Sequence, residues 1–153
     1  MLSLGGFRDE PSRSLVVALS LPAAALAADG TFDKTLPFAG APIVSVSTGA
    51  GYIHVYPGPD NQLHLIGRLH SHPGWFSSDD DADKRIRQII ANPPILQSGN
   101  IITIGSTHGS DLYRNITIDY DVLTPRATTL KAESGSGNLD IGGIEAAVTG
   151  QTG

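Results

Sequence analysis

Apolar and polar positions alternate with a period of two along most of the chain, the mark of strands with one buried face. Ile43-Val44-Ser45-Val46-Ser47 alternates in this way. Tyr52-Ile53-His54-Val55-Tyr56 puts Ile53 and Val55 on one face, and Tyr52, His54 and Tyr56 on the other. Thr48-Gly49-Ala50-Gly51 between them predicts a tight turn, because paired glycines accept positive φ. Gln62 to Leu69 places Leu63, Leu65 and Leu69 on one face, opposite His64, Ile66, Arg68 and, continuing, His70. Pro57-Gly58-Pro59-Asp60-Asn61 is rich in turn formers, so the simplest reading pairs Tyr52–Tyr56 with Gln62–Leu69 as a hairpin. Ile95–Gln97 and Ile101–Ile104 flank Ser98-Gly99-Asn100 and predict a second hairpin. Leu112 to Leu123 predicts a long strand in which Ile116, Ile118, Tyr120 and Val122 alternate with Thr117, Asp119 and Asp121. Pro125 ends it, and Thr128–Ala132 and Asn138–Ile141 predict two more strands. Gly30 to Pro42 reads as a lead-in anchored by Phe32 and Phe38, and Ser71 to Ser78 as a loop carrying Trp75.

One segment has a helical period. Ile86, Ile89 and Ile90 form an i, i+3, i+4 stripe within Asp79 to Ala91. Ser78 suits the N-cap, and Asp79, Asp80, Asp81 and Asp83 sit where the helix dipole favours negative charge. Asn92-Pro93-Pro94 stops the helix.

Two internal matches suggest how the strands stack. Leu130-Lys131-Ala132-Glu133-Ser134-Gly135 aligns with Val148-Thr149-Gly150-Gln151-Thr152-Gly153, a spacing of 18 residues. Thr48-Gly49-Ala50-Gly51-Tyr52-Ile53-His54-Val55 aligns with Ser134-Gly135-Ser136-Gly137-Asn138-Leu139-Asp140-Ile141, both reading small-Gly-small-Gly-x-apolar-x-apolar. The expected fold is therefore all-β, a β-solenoid or stacked-hairpin architecture with one short decorating helix over residues 79–91.

Composition agrees with a turn-rich β protein: 18 Gly and 10 Pro among 153 residues, with 16% charged and 6% aromatic residues. The net charge of −5 and the lack of a basic stripe argue against nucleic acid as a partner. With no cysteine, disulfides, thiol catalysis and Cys-type zinc sites are excluded. Arg8 and Arg13 precede the apolar run Leu15 to Ala27, which ends in Ala25-Leu26-Ala27 before polar Asp29. This reads as an export signal over residues 1–27 followed by a single domain over residues 28–153. The run is too short for a bilayer span, which takes about 20 residues. Asp9 and Glu10 suit such a leader poorly and point to a start downstream of Met1.

Candidate chemistry is sparse. A Tyr52–Tyr56/Gln62–Leu69 hairpin would set His54 opposite His64, with His70 and His72 near the end of the same strand. Imidazoles gathered on one β face can ligate zinc or copper, but solvated surface histidines are the better account, so no metal site is expected. His108 has no evident partner. Asp79-Asp80-Asp81-Ala82-Asp83 lacks the EF-hand spacing, and helix capping accounts for it. Asp119 and Asp121 share a strand face, which brings to mind the acids of solenoid polysaccharide hydrolases and lyases, but a solvated face is the better account of the pair. No nucleophile elbow, P-loop or dinucleotide fingerprint is present, and Asn115-Ile116-Thr117 matches a glycosylation sequon of the kind that arises by chance.

The run Ile118-Asp119-Tyr120-Asp121-Val122-Leu123-Thr124-Pro125-Arg126-Ala127-Thr128, followed by Leu130 to Ile141, resembles the DUF4097 family of adhesin-like β-strand repeat proteins of bacterial envelopes. Ser45 to Gly51 with its following strand is similar to that family's opening unit, and the resemblance runs from Phe32 to the end. It implies a solenoid or toastrack-like stack on an exported chain, with no catalytic signature, no cofactor and no metal to carry over. It also implies a chain that stops where further repeats would follow. The expected function is a non-enzymatic adhesin, scaffold or sensing domain contacting envelope protein or glycan, in the periplasm or at the cell surface. Self-association through the terminal coil is a further expectation. A carbohydrate-active solenoid enzyme using Asp119 and Asp121 is the alternative, and a periplasmic metal-binding module using His54, His64, His70 and His72 a third.

Overall fold

The alternating segments become strands in the computed structural model, which describes residues 29–72, 79–105 and 110–153. The expected export signal, Trp75, Ser78 and His108 lie outside the described residues. In chain order the elements are β1 (Gly30–Pro37), β2 (Ile43–Thr48), β3 (Ile53–Pro57), β4 (Gln62–Ser71), α1 (Asp79–Ala91), β5 (Ile95–Ser98), β6 (Ile101–Ile104), a 3-10 turn (Asp111–Tyr113), β7 (Ile116–Thr124), β8 (Thr129–Ser134), β9 (Leu139–Ile141) and β10 (Val148–Thr152). They form two five-stranded mixed sheets: sheet I in the order β1-β4-β7-β3-β9, and sheet II in the order β10-β8-β2-β6-β5. Among the described residues no helix is long and apolar enough to cross a membrane.

Sheet I is half parallel and sheet II is parallel except at β5. β7, β3 and β9 run parallel in sheet I, as do β6, β2, β8 and β10 in sheet II. The chain passes from sheet II to sheet I at two glycine-rich corners, between β2 and β3 and between β8 and β9. These corners are the two halves of the longer internal match, and they stack on each other. Thr48 pairs with Ser134, Ile53 with Leu139 and Val55 with Ile141. Between the corners, the Gly135 N–H donates to the Thr48 carbonyl at 3.1 Å and the Ser136 N–H to the Gly49 carbonyl at 3.1 Å. The shorter match is a pairing too: Val148 lies opposite Leu130 and Thr152 opposite Ser134. Gly153 N–H then donates to the Ser134 carbonyl at 3.1 Å, repeating the bond that Gly135 makes to Thr48.

The core lies between the sheets. Sheet II supplies Val44, Val46, Ile102, Ile104, Leu130 and Ala132, and sheet I supplies Leu63, Leu65, Leu69, Ile118, Tyr120, Val122, Ile53 and Val55, all buried. Gly67 interrupts the leucine alternation of β4 because the Phe32 ring occupies its place; a Cβ there would lie 2.2 Å from Phe32 Cζ. Phe32 in turn meets Tyr120 edge-on at 6.5 Å between centroids. Helix α1 buries Ile86 and Ile89 and lies against β1, where a Cβ on Gly30 would come within 2.6 Å of Ile86 Cγ2.

Burial pushes the Tyr120 hydroxyl well above the usual tyrosine range, with Tyr113 adding to the shift. The folded chain keeps a proton that the unfolded chain releases above about pH 10. Its contribution to stability is thus complete below that pH and is lost as pH rises further, by up to ~1.4 kcal/mol per pH unit. Alkaline denaturant titrations of Tyr120→Phe should lack that part of the slope.

Three expectations are corrected. Tyr52–Tyr56 and Gln62–Leu69 do not form a hairpin: β7 lies between β3 and β4, parallel to the first and antiparallel to the second. The four-residue connection that resembles a hairpin turn instead lets the chain skip over the place later filled by β7. The long strand starts at Ile116 rather than Leu112, because Leu112 belongs to the 3-10 turn, where Ser110 Oγ accepts from its N–H at 3.3 Å. The lead-in Gly30–Pro37 is itself a strand, paired antiparallel with β4 from Gly30 opposite Leu69 to Pro37 opposite Gln62.

Candidate functional site

Alternation along β4, β7 and β3 turns one set of side chains to the core and the other to the outer face of sheet I. The register aligns that outer set into rows across the strands. Asp33, Ile66, Asp121, His54 and Asp140 share one row, crossing β1, β4, β7, β3 and β9. Arg68 lies opposite Asp119 on the next row, and His64 opposite Leu123 on the other side.

Polar groups on these rows are tied to one another across strands. Arg68 donates to the Asp121 carboxylate. His54 Nδ1 donates to Asp121 Oδ1 at 3.1 Å, so β3 and β4 are both fastened to one acid on the strand between them. Asp119 is 7% exposed and accepts from the Tyr52 N–H at 3.0 Å and from His70 Nε2 at 2.9 Å. His64 Nε2 donates to Asp33 at 2.7 Å, and His72 Nε2 is hydrogen-bonded to Thr117 Oγ1 at 2.7 Å. The Asp121 carboxylate beside Arg68 pushes its guanidinium pKa further up, so the cation persists at any working pH. At the strand ends, the Ser71 hydroxyl and N–H both donate to Asp29 and hold its carboxyl below the usual range.

An aromatic row runs down β3. Tyr52 stacks on His54 with centroids 4.4 Å apart and planes at 24°. His54 meets Tyr56 at 6.4 Å and 60°. The Tyr56 hydroxyl donates to Asp140 on β9, and that bond raises its pKa.

The four candidate metal ligands are therefore not brought together. His54 and His64 are not opposite each other: β7 separates their strands, and each imidazole has its own carboxylate. His70 and His72 take different partners on β7. Among the described residues no group of three or more His, Asp or Glu side chains is placed to hold a metal ion. Asp119 and Asp121 do share the outer face, but each is engaged in holding neighbours. Of the acidic run, Asp81 pairs with Arg85 one turn on, at 3.4 Å.

Two parts of the site escape sequence reasoning. Tyr56–Asp140 and Arg68–Asp121 join residues far apart in the chain, and only the register of β9 on β3 and of β7 on β4 brings them together. The usable signal was the shared polar face of Tyr52, His54 and Tyr56; its neighbours were not legible. No family model, curated protein or solved structure matches the chain.

Proposed function

We propose that the chain is a non-enzymatic, exported envelope protein whose β-repeat domain acts as an adhesion or scaffold module, contacting protein or glycan through its outer β surface. On this reading β6–β7, β2–β3 and β8–β9 are successive coils of a solenoid-like stack, and β10 opens another. The register-matched corners support it, as does the resemblance to adhesin-like envelope proteins. The observation that carries the functional reading is the outer face of sheet I. Its ionisable side chains are cross-linked between strands into a surface that exists before any ligand arrives. Preformed surfaces of this kind lose little conformational entropy on binding. The acids that an enzyme reading would use are bound up in that lattice: Asp121 by Arg68 and His54, and Asp119 by Tyr52 and His70.

The test has two parts. Fractionation of cells producing the tagged chain should place it outside the cytoplasm. The purified chain, incubated with envelope glycans and envelope proteins, should retain at least one of them with no release of reducing sugar. Cytoplasmic residence, or sugar release that disappears in Asp119→Asn or Asp121→Asn, contradicts the reading.

A further inference from the structure

The geometry points to a binding site for a neutral, hydroxyl-rich polysaccharide on the outer face of sheet I, centred on Tyr52, His54 and Tyr56. The inference rests on the scaffold reading above and names its ligand class.

Surface tyrosines ordinarily sample several rotamers, and fixing them costs entropy on binding. Both rings are held in place here. Tyr52 lies stacked on His54, and its hydroxyl accepts from Arg68 Nη1 at 3.4 Å. Tyr56 is anchored through its hydroxyl to Asp140, and its ring covers Gly142, where a Cβ would lie 3.2 Å from Cε1. Yet Tyr56 remains 40% exposed. A fixed, exposed aromatic face with a polar tip suits a ligand that has both an apolar face and a polar rim. A sugar ring has C–H groups on its face and hydroxyls at its edge.

The polar surroundings select among ligands. Asp121, His54 and Asp140 lie side by side on β7, β3 and β9, about 4.8 Å apart from strand to strand, with Arg68 beside Asp121. Acceptors and donors thus alternate at short range. A hydroxyl both donates and accepts, so adjacent hydroxyls of a sugar can meet both kinds of group. A polyanion would face Asp33, Asp121 and Asp140 together. A basic peptide would gain little from Asp121, whose charge Arg68 already offsets, whereas the carboxylate keeps lone pairs that a neutral hydroxyl can reach. The Tyr52 and Tyr56 ring centroids lie 4.4 Å and 6.4 Å from that of His54, so the three rings form one continuous platform. That platform, on an open face, is longer than one sugar ring and fits a linear chain rather than a single sugar.

Isothermal titration calorimetry of the full chain tests this against three soluble neutral polysaccharides (a β-glucan, a mannan and a galactan), with polygalacturonate and polylysine as charged competitors. At least one neutral polysaccharide should bind. Tyr52→Ala and Tyr56→Ala should each weaken it about tenfold or more, and Tyr56→Phe, which keeps the ring but not the Asp140 bond, should weaken it less. Lys131→Ala, on sheet II, should leave it unchanged. Circular dichroism confirms that each variant is folded. Binding of the charged probes alone, of none of the five, or with equal affinity by folded tyrosine variants overturns the site. Equal affinity leaves the scaffold reading standing; cleavage of the polysaccharide in the cell removes the scaffold reading itself.

Discussion

Replacing Gly137 with alanine is expected to lower the unfolding free energy by about 3 kcal/mol. The added Cβ would lie 1.8 Å from the carbonyl oxygen of Gly51 and 2.6 Å from its carbon. Both are backbone atoms of the stacked corner, so no side chain can swing aside to make room. The same contact zone is closed by Ser134, whose hydroxyl donates to the Gly51 carbonyl at 2.9 Å and accepts from the Gly137 N–H at 2.9 Å. Separating the corners breaks those bonds as well as the backbone contact. Gly49 supplies the control within the same motif. A Cβ there meets nothing within 4 Å, so Gly49→Ala should change stability by no more than about 0.5 kcal/mol. Urea midpoints at unchanged m-value report both. A small effect at Gly137 would mean that the corners are not in contact.

Asp119→Ala should cost about 2–3 kcal/mol, an effect that a solvated surface acid would not have. The carboxylate is almost fully buried and receives the Tyr52 N–H and the His70 imidazole. Its removal leaves that amide without its acceptor at the point where β3 begins. Asp119→Asn retains one acceptor oxygen of similar size and should cost about 1 kcal/mol. Denaturant titration gives the magnitudes, and faster amide exchange at Tyr52 in the alanine variant identifies the mechanism. The pattern separates a structural acid from a catalytic one. A catalytic Asp119 would lose turnover on substitution while stability and the Tyr52 amide stayed as they were.

Much of the secondary structure was legible because alternation and turn chemistry are local. Helix α1 occupies the expected segment, and the β5–β6 hairpin turns at Gly99, which has φ +59° as such a turn requires. Both internal matches are real pairings, since each glycine corner and apolar alternation must fit the strand and corner beside it. Strand order was less legible. Alternation says which face of β3 is buried, but not whether β4 or β7 lies beside it. The proline-rich turn favoured the nearer partner, and the more distant one won by burying Tyr120 beside Ile53 and Val122 beside Val55. β1 was hidden because Lys34 breaks its apolar alternation at a strand edge, where a charged side chain still reaches solvent. The site followed the strand order. His54, Asp119 and Asp121 were visible as residues with chemical potential, but their pairings, Asp121 with Arg68 and His54 and Asp119 with His70, depend on which strands are neighbours.

The proposed binding face exists only if β3 lies between β7 and β9. Inter-strand nuclear Overhauser effects on the labelled full chain measure this directly. The account predicts contacts from Ile53 to Tyr120 and Leu139, and from Val55 to Val122 and Ile141. Contacts pairing Tyr52–Tyr56 directly with Gln62–Leu69, as in a simple hairpin, would contradict it.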